Sequence, residues 1–262
     1  MPLTVASMTS TIHHPRTEQP LRFGALLSRV MLAGLAAGAL AGLFSLLVTE
    51  RAIAPALDLE DARAAAEGSM QRHGEELFSR GEQLVGGFLG TVAAGIALAV
   101  LFGAVYARVR HRLPGRTDVA RTAVLAAVGF GVFALLPALT IPANPPAVGD
   151  PQTVGSRTAI YGAVLVLGVI TAMLVAALVS ALRSRGASEA ATAAAATVAT
   201  GILLALILVF VPDNPDTIAA DVPAAVVWNF RLASLGQLAV LWAGLGLISG
   251  WLLDRLVRSL GR

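Results

Sequence analysis

The chain contains no lysine and no cysteine, and all 19 of its basic residues are arginine. Without lysine there is no G-x-x-x-x-G-K loop to reach a nucleotide's phosphates, and no Schiff-base chemistry. Without cysteine there are no disulfides, thiolate metal sites or thiol nucleophiles. Charge of either sign is scarce, at 13% of 262 residues, where a soluble domain carries about a quarter. Hydrophobic residues make up 56%. They collect in blocks of roughly 20, the length that crosses the hydrocarbon core of a bilayer. Little chain is left for a separate soluble domain, and no catalytic constellation stands out, so an enzyme is not expected.

The apolar blocks lie near Val30–Val48, Leu84–Ala107, Thr122–Ile141, Thr158–Leu182, Ala190–Val211 and Leu232–Leu253. They predict an all-α fold, a polytopic membrane bundle of six transmembrane helices. Residues 1–25 are polar and include His13, His14, Pro15 and Pro20. They read as a disordered cytoplasmic tail, with the six-helix domain occupying 26–262.

Charge bias supports this count. The tail, the Arg108–Arg121 and Arg183–Glu189 connections and the C-terminal end hold 13 Arg and 4 acidic residues. The connections at 50–83, 142–157 and 212–231 hold 6 Arg and 12 acidic residues. Arginine favours cytoplasmic loops. The pattern predicts both termini in the cytoplasm and three acidic outer loops. The net charge of +3 then reflects membrane topology, and no nucleic-acid partner is expected.

Small residues recur at helical spacing. Gly34, Gly38 and Gly42 form a doubled GxxxG, and Gly86 with Gly90 and Gly246 with Gly250 repeat it. Such a stripe lets a neighbouring helix approach closely. Helix packing is one reading, and a substrate path lined by exposed carbonyls is the other. The second needs a broken helix, and only weak breakers are visible. Each even-numbered span opens with an arginine at its outer end: Arg80, Arg157 and Arg231. An arginine there goes against the inside bias. It should pair with an acidic loop residue or a helix C-terminal carbonyl rather than face lipid.

The span cores contain no ionisable residue. Their polar groups are hydroxyls such as Ser45, Thr91 and Thr171, together with Gln237. Pumps and proton-coupled carriers ordinarily keep ionisable groups inside the membrane. The first outer loop, by contrast, carries His73 beside Glu75 and Glu76. An imidazole with two carboxylates suits borderline divalent ions such as cobalt, nickel or zinc. An incidentally charged, solvated loop is the competing reading. In the second outer loop Pro142, Pro145 and Pro146 forbid regular helix, and Gly149 supplies a turn. Asn144 and Asp150 can bond the turn backbone. This rigid loop reads as a gate, a ligand lip or a sharp connection.

The run PANPPAVGDPQTVGSRTAIY resembles the hallmark of the CbtA family of predicted cobalt transporter subunits. HGEELFSRGEQ is similar to the family's first outer loop and second span, and VWNFRLASLGQLAVLWAGLGLISG to its last span. The matches keep their order between residues 30 and 255. The resemblance implies a role in cobalt uptake linked to cobalamin supply, in the bacterial cytoplasmic membrane, beside a small membrane partner of the CbtB type. By matching segments it carries over His73, Glu75, Glu76 and Asp150 on the metal side, and Arg80, Asn144 and Arg231 as structural or gating positions. Arg157 joins these through its place in GSRTAIY. One departure is that many relatives have a His-rich stretch where this chain has only His73. Another is that the family is commonly described with five spans, whereas the charge count here gives six.

Two functions follow. The first is a subunit of a divalent metal uptake transporter, with Co2+ as the transported ion and no permanently bound cofactor. No ATPase motif is present, so a gradient, the membrane potential or a partner must drive it. The potential contributes about 4.6 kcal/mol to a dication per 100 mV, twice the single-charge value. The second is a non-transporting scaffold or accessory subunit, acting through its Gly-rich faces on a partner or on further copies of itself.

Overall fold

Inside a bilayer every backbone polar group must find its partner within the protein, and each apolar block does so as a helix. The computed structural model describes residues 22–66, 79–146 and 148–260. Among them are six helices long and apolar enough to cross a membrane, and no strand. They are α1 (Phe23–Ala66), α2 (Arg80–Val109), α3 (Asp118–Thr140), α4 (Pro151–Ser184), α5 (Glu189–Phe210) and α6 (Ala224–Leu260). Most of the expected N-terminal tail, residues 1–21, lies outside the described residues, as do His73, Glu75 and Glu76.

The helix starts are encoded locally. Ser79 and Glu82 form a capping box at α2, the Glu82 carboxylate accepting from the Ser79 N–H at 2.7 Å. The Thr117 and Ser188 hydroxyls accept from the N–H groups of Ala120 and Ala191 at the starts of α3 and α5, each at 3.2 Å. Helix α4 stops at Gly186, whose φ of +78° permits the left-handed turn. The Ala187 N–H then bonds the Leu182 carbonyl and the Gly186 N–H that of Arg183, both at 3.1 Å.

Helix α1 corrects the expected first outer loop at 50–83. It does not end where the apolar block ends but continues to Ala66. The stretch Glu50–Ala66 is rich in alanine, with leucine, glutamate and arginine, all strong helix formers, so it stays helical after leaving lipid. Its 44 residues span about 66 Å, about twice the hydrocarbon thickness. Two π-turns also interrupt the helices, at Ser45–Thr49 in α1 and Gly131–Leu135 in α3. Pro137 follows the second. These are stronger breaks than the sequence suggested.

Helix α1 sits at the centre, against α2 and α6, while α3 packs on the other side of α6. The principal core joins Leu26, Val30, Phe102, Tyr106, Trp242 and Leu245 from these elements. Glycines bring the backbones together. A Cβ at Gly38 would lie 2.8 Å from the Val92 Cα, and one at Gly246 2.6 Å from the Ala126 Cβ. Gly34, Gly42 and Gly250 are filled against α2 or α3 in the same way. Gly86 and Gly90 are not: among the described residues no atom lies within 4 Å of a Cβ placed at either. Helix α2 meets α1 through Gly95, nine residues beyond Gly86. At 100° per residue that is half a turn away, so the stripe faces outward.

The α4–α5 pair attaches more lightly, through a small cluster of Leu136, Val164 and Ile207. Large apolar side chains cover the outside, with Met173 67% and Phe210 78% exposed, as lipid contact requires. On α6, Trp228 and Trp251 are both exposed. They stand 23 residues apart, about 34 Å along a helix, and mark two interfaces. The Arg255 guanidinium lies 3.9 Å over the Trp251 ring.

Candidate functional site

At the acid-rich end, the two irregular connections 141–150 and 211–223 meet around Asp216, whose side chain is fully buried. Asn214 prepares the turn. Its side-chain carbonyl accepts from the Asp216 N–H at 3.1 Å, the Asx geometry that asparagine favours. The Asp216 carboxylate then accepts from Arg157 at 2.9 Å, the Asn144 amide at 2.5 Å, the Asp150 N–H at 2.6 Å and the Thr153 hydroxyl at 3.4 Å. Gly149 makes room for it. Its φ is +114°, and a Cβ there would stand 2.7 Å from an Asp216 oxygen. Arg231 completes the assembly, donating to the Asn144 carbonyl oxygen at 2.8 Å and to the Ala143 carbonyl at 3.2 Å.

Four residues singled out from sequence thus converge: Asn144, Asp150, Arg157 and Arg231. The group that gathers them, Asp216, was missed. Composition could not separate it from Asp213 and Asp221. The signal that could have done so is the Asn214-Pro215 turn immediately before it.

The carboxylate of Asp150, an expected metal ligand, accepts from the Gln152 N–H at 2.8 Å and caps the first turn of α4. The Asp216 carboxylate is surrounded by donors and has little capacity for a cation. Among the described residues no group of three or more His, Asp or Glu is placed to hold a metal. A hollow of about 240 Å³ lies beside the Asp216 assembly, lined by Arg63, Gly149, Asp150 and Thr217 among others. Arg63, on the extension of α1, pairs with Asp221 at 2.8 Å. That bond holds the Asp221 carboxyl below the usual carboxylate range. Arg80 pairs with Glu50, tying the start of α2 to α1. Just inside that pair, at the end of the α1 π-turn, the Thr49 hydroxyl donates to the Gln237 side-chain oxygen at 3.1 Å.

The Arg-rich end has its own buried carboxylate. Asp118 is 3% exposed and accepts from the Tyr106 hydroxyl at 2.5 Å and from Arg110 at 2.8 and 2.9 Å. Its N–H donates to Asp254 at 2.8 Å. This clasp binds α2, α3 and α6 where Gly246 and Gly250 already hold α3 against α6.

No curated protein and no solved structure matches the chain. A family model described as probable cobalt transporter subunit (CbtA) matches residues 23–254, a stretch that covers α1 to α5, most of α6 and both buried carboxylates. The chain is a multi-pass membrane protein and belongs to the CbtA family of probable cobalt transporter subunits.

Proposed function

We propose that this chain is the membrane-spanning subunit of a divalent metal uptake system, with cobalt as the ion and the acid-rich end facing outward from a bacterial cytoplasmic membrane. Family membership over residues 23–254 carries this reading. The segregation of charge supports the orientation, because arginine concentrates at the opposite end. Asp58, Glu60 and Asp61 are exposed on the α1 extension and raise the local concentration of cations. His73, Glu75 and Glu76 are proposed as the first weak ligands, followed by the hollow beside Asp150. Release requires that no stop along the way bind tightly. Within the bundle, the hydroxyl and amide groups at Thr49 and Gln237 are two of the polar groups available as relays. Nothing in this reading calls for catalysis or a resident cofactor.

The chain has no nucleotide-binding lysine, so the potential or a partner supplies the driving force. A small membrane protein of the CbtB type is the proposed partner. The uncovered stripe at Gly86 and Gly90 supports helix contact there, with a partner or with a second copy. An accessory role without transport is favoured by one observation, the lack of a cation-holding cluster among the described residues.

Uptake of radioactive cobalt into proteoliposomes separates the two. The chain would be tested alone, with its partner, and carrying His73→Ala. Saturable uptake that weakens in His73→Ala supports the permease subunit. No uptake under any condition overturns it.

A further inference from the structure

We propose that the Asp216 assembly is a releasable latch over the acid-rich mouth of the bundle, and that the half of α3 beyond its π-turn is the arm that moves when it opens. The purpose of such a latch rests on the uptake reading, but its existence does not.

The two ends of the bundle are held by different means. At the Arg-rich end, α3 and α6 touch backbone to backbone through Gly246 and Gly250, and the Asp118 clasp adds to an apolar contact already made. At the acid-rich end, neither connection supplies a residue to the buried part of either apolar cluster. The Asp216 junction is polar: a carboxylate, two guanidinium groups, an amide, a hydroxyl and backbone N–H. Water can replace such partners one at a time, whereas it cannot replace close apolar packing. The closed arrangement is also incomplete, since the Arg157 Nε is buried without a partner, a cost that opening removes.

The chain between the two ends is built to bend. The Gly131–Leu135 π-turn loosens the hydrogen-bond ladder of α3, and Pro137 removes a further donor just beyond it. Gly131 has no neighbour to jam against. Past Thr140, Pro142, Pro145 and Pro146 fix their own backbone angles, so a bend at the π-turn carries Asn144 with it and away from Asp216. Arg231 then loses Asn144, and the hollow beside Asp150 becomes continuous with the space around the start of α6.

The test exploits the absence of cysteine. A single reporter, Ser234→Cys, lies three residues inward of Arg231 on α6. A second, Ser249→Cys, lies fully buried near the Arg-rich end. Each is labelled from outside with a membrane-impermeant maleimide, with and without Asp216→Asn. The latch predicts roughly tenfold faster labelling at position 234, the shift expected when the buried Arg157–Asp216 pair loses its charge assistance, and no change at position 249. Equal rates at position 234 with and without Asp216→Asn overturn the latch. Faster labelling at both positions also overturns it, because the assembly would then be general glue. If Asp216→Asn does not accumulate, Asn144→Ala removes the bridging amide while leaving Asp216 its Arg157 partner and Arg231 the Ala143 carbonyl, and the same outcomes apply. Labelling needs no cargo. Failure of cobalt uptake would therefore sink the transport reading and leave the latch standing.

Discussion

Arg157 and Asp216 pair at 2.9 Å although one opens α4 and the other lies beyond the end of α5. The exchange is mutual, because Arg231 at the start of α6 reaches back to Asn144, just past the end of α3. The second and third helical hairpins thus hold each other. The first closes on itself through Arg80 and Glu50.

Breaking the Arg157–Asp216 pair from one side should be costly. Asp216→Ala strands a mostly buried guanidinium, and removing one partner of a buried pair costs roughly 3–5 kcal/mol. Arg157 is 26% exposed, which places the effect at the lower end. The double variant Asp216→Ala, Arg157→Ala should lose less than the sum of the singles. A double-mutant cycle from unfolding in detergent checks this, and additive losses would show that the pair is not coupled.

The glycine stripes should divide sharply. Gly38→Leu forces side-chain atoms into the Val92 backbone and should destabilise by about 1–3 kcal/mol or more, as overpacking does. Gly90→Ala meets nothing among the described residues. On its own it should stabilise the isolated helix by roughly 0.5–1 kcal/mol. Thermal unfolding of the purified chain reads both. A loss in Gly90→Ala that appears only when a partner is present would locate the partner on α2.

Which of these features the sequence disclosed follows from what each depends on. Six spans were legible because hydropathy reports directly on transfer into lipid. The continuation of α1 through Glu50–Ala66 was not, since hydropathy marks where an apolar block stops and not where its helix does. Arg80, Arg157 and Arg231 stood out because a charge at that depth must find a partner. Asp216, the partner of Arg157, did not stand out, because burial of one loop aspartate among three depends on a tertiary meeting of two loops. Gly34 and Gly86 share one spacing with opposite outcomes. Spacing defines a face but not whether a neighbour occupies it.

At the Arg-rich clasp, Tyr106→Phe removes a hydrogen bond to a buried carboxylate. Bonds to charged groups contribute about 1.5–3 kcal/mol, and the variant should unfold earlier by that amount. The change leaves the apolar ring packing of Phe102 on position 106 in place. Loss of stability without loss of that packing, read by near-ultraviolet circular dichroism, would isolate the hydroxyl. No loss would remove the clasp from the account of stability.

The Arg63–Asp221 tie sets a pH window. Arg63 lowers the Asp221 carboxyl, so its contribution is fully present above the unfolded value of about 3.9. It is lost as pH falls through the still lower folded value. Acidification down to about pH 4 should therefore leave the tie intact. Carbonyl-carbon NMR of labelled aspartate should show Asp221 titrating below the ordinary aspartate range, and Arg63→Gln should return it there. An unshifted titration in the unaltered chain would dissolve the tie.

The two interfacial tryptophans of α6 make the bundle a gauge of its host membrane. Trp228 is exposed three residues from Arg231, and Trp251 three residues from Asp254, positions suited to the two headgroup layers. A bilayer much thicker than the interval between them must compress around the protein, and a thinner one must let α6 tilt. Each adjustment costs fractions of a kcal/mol per ångström. Tilting α6 moves Arg231 relative to Asn144, while Asp254 stays held at the far end. Acyl-chain length in a reconstituted vesicle is then an independent handle on how firmly the mouth is shut.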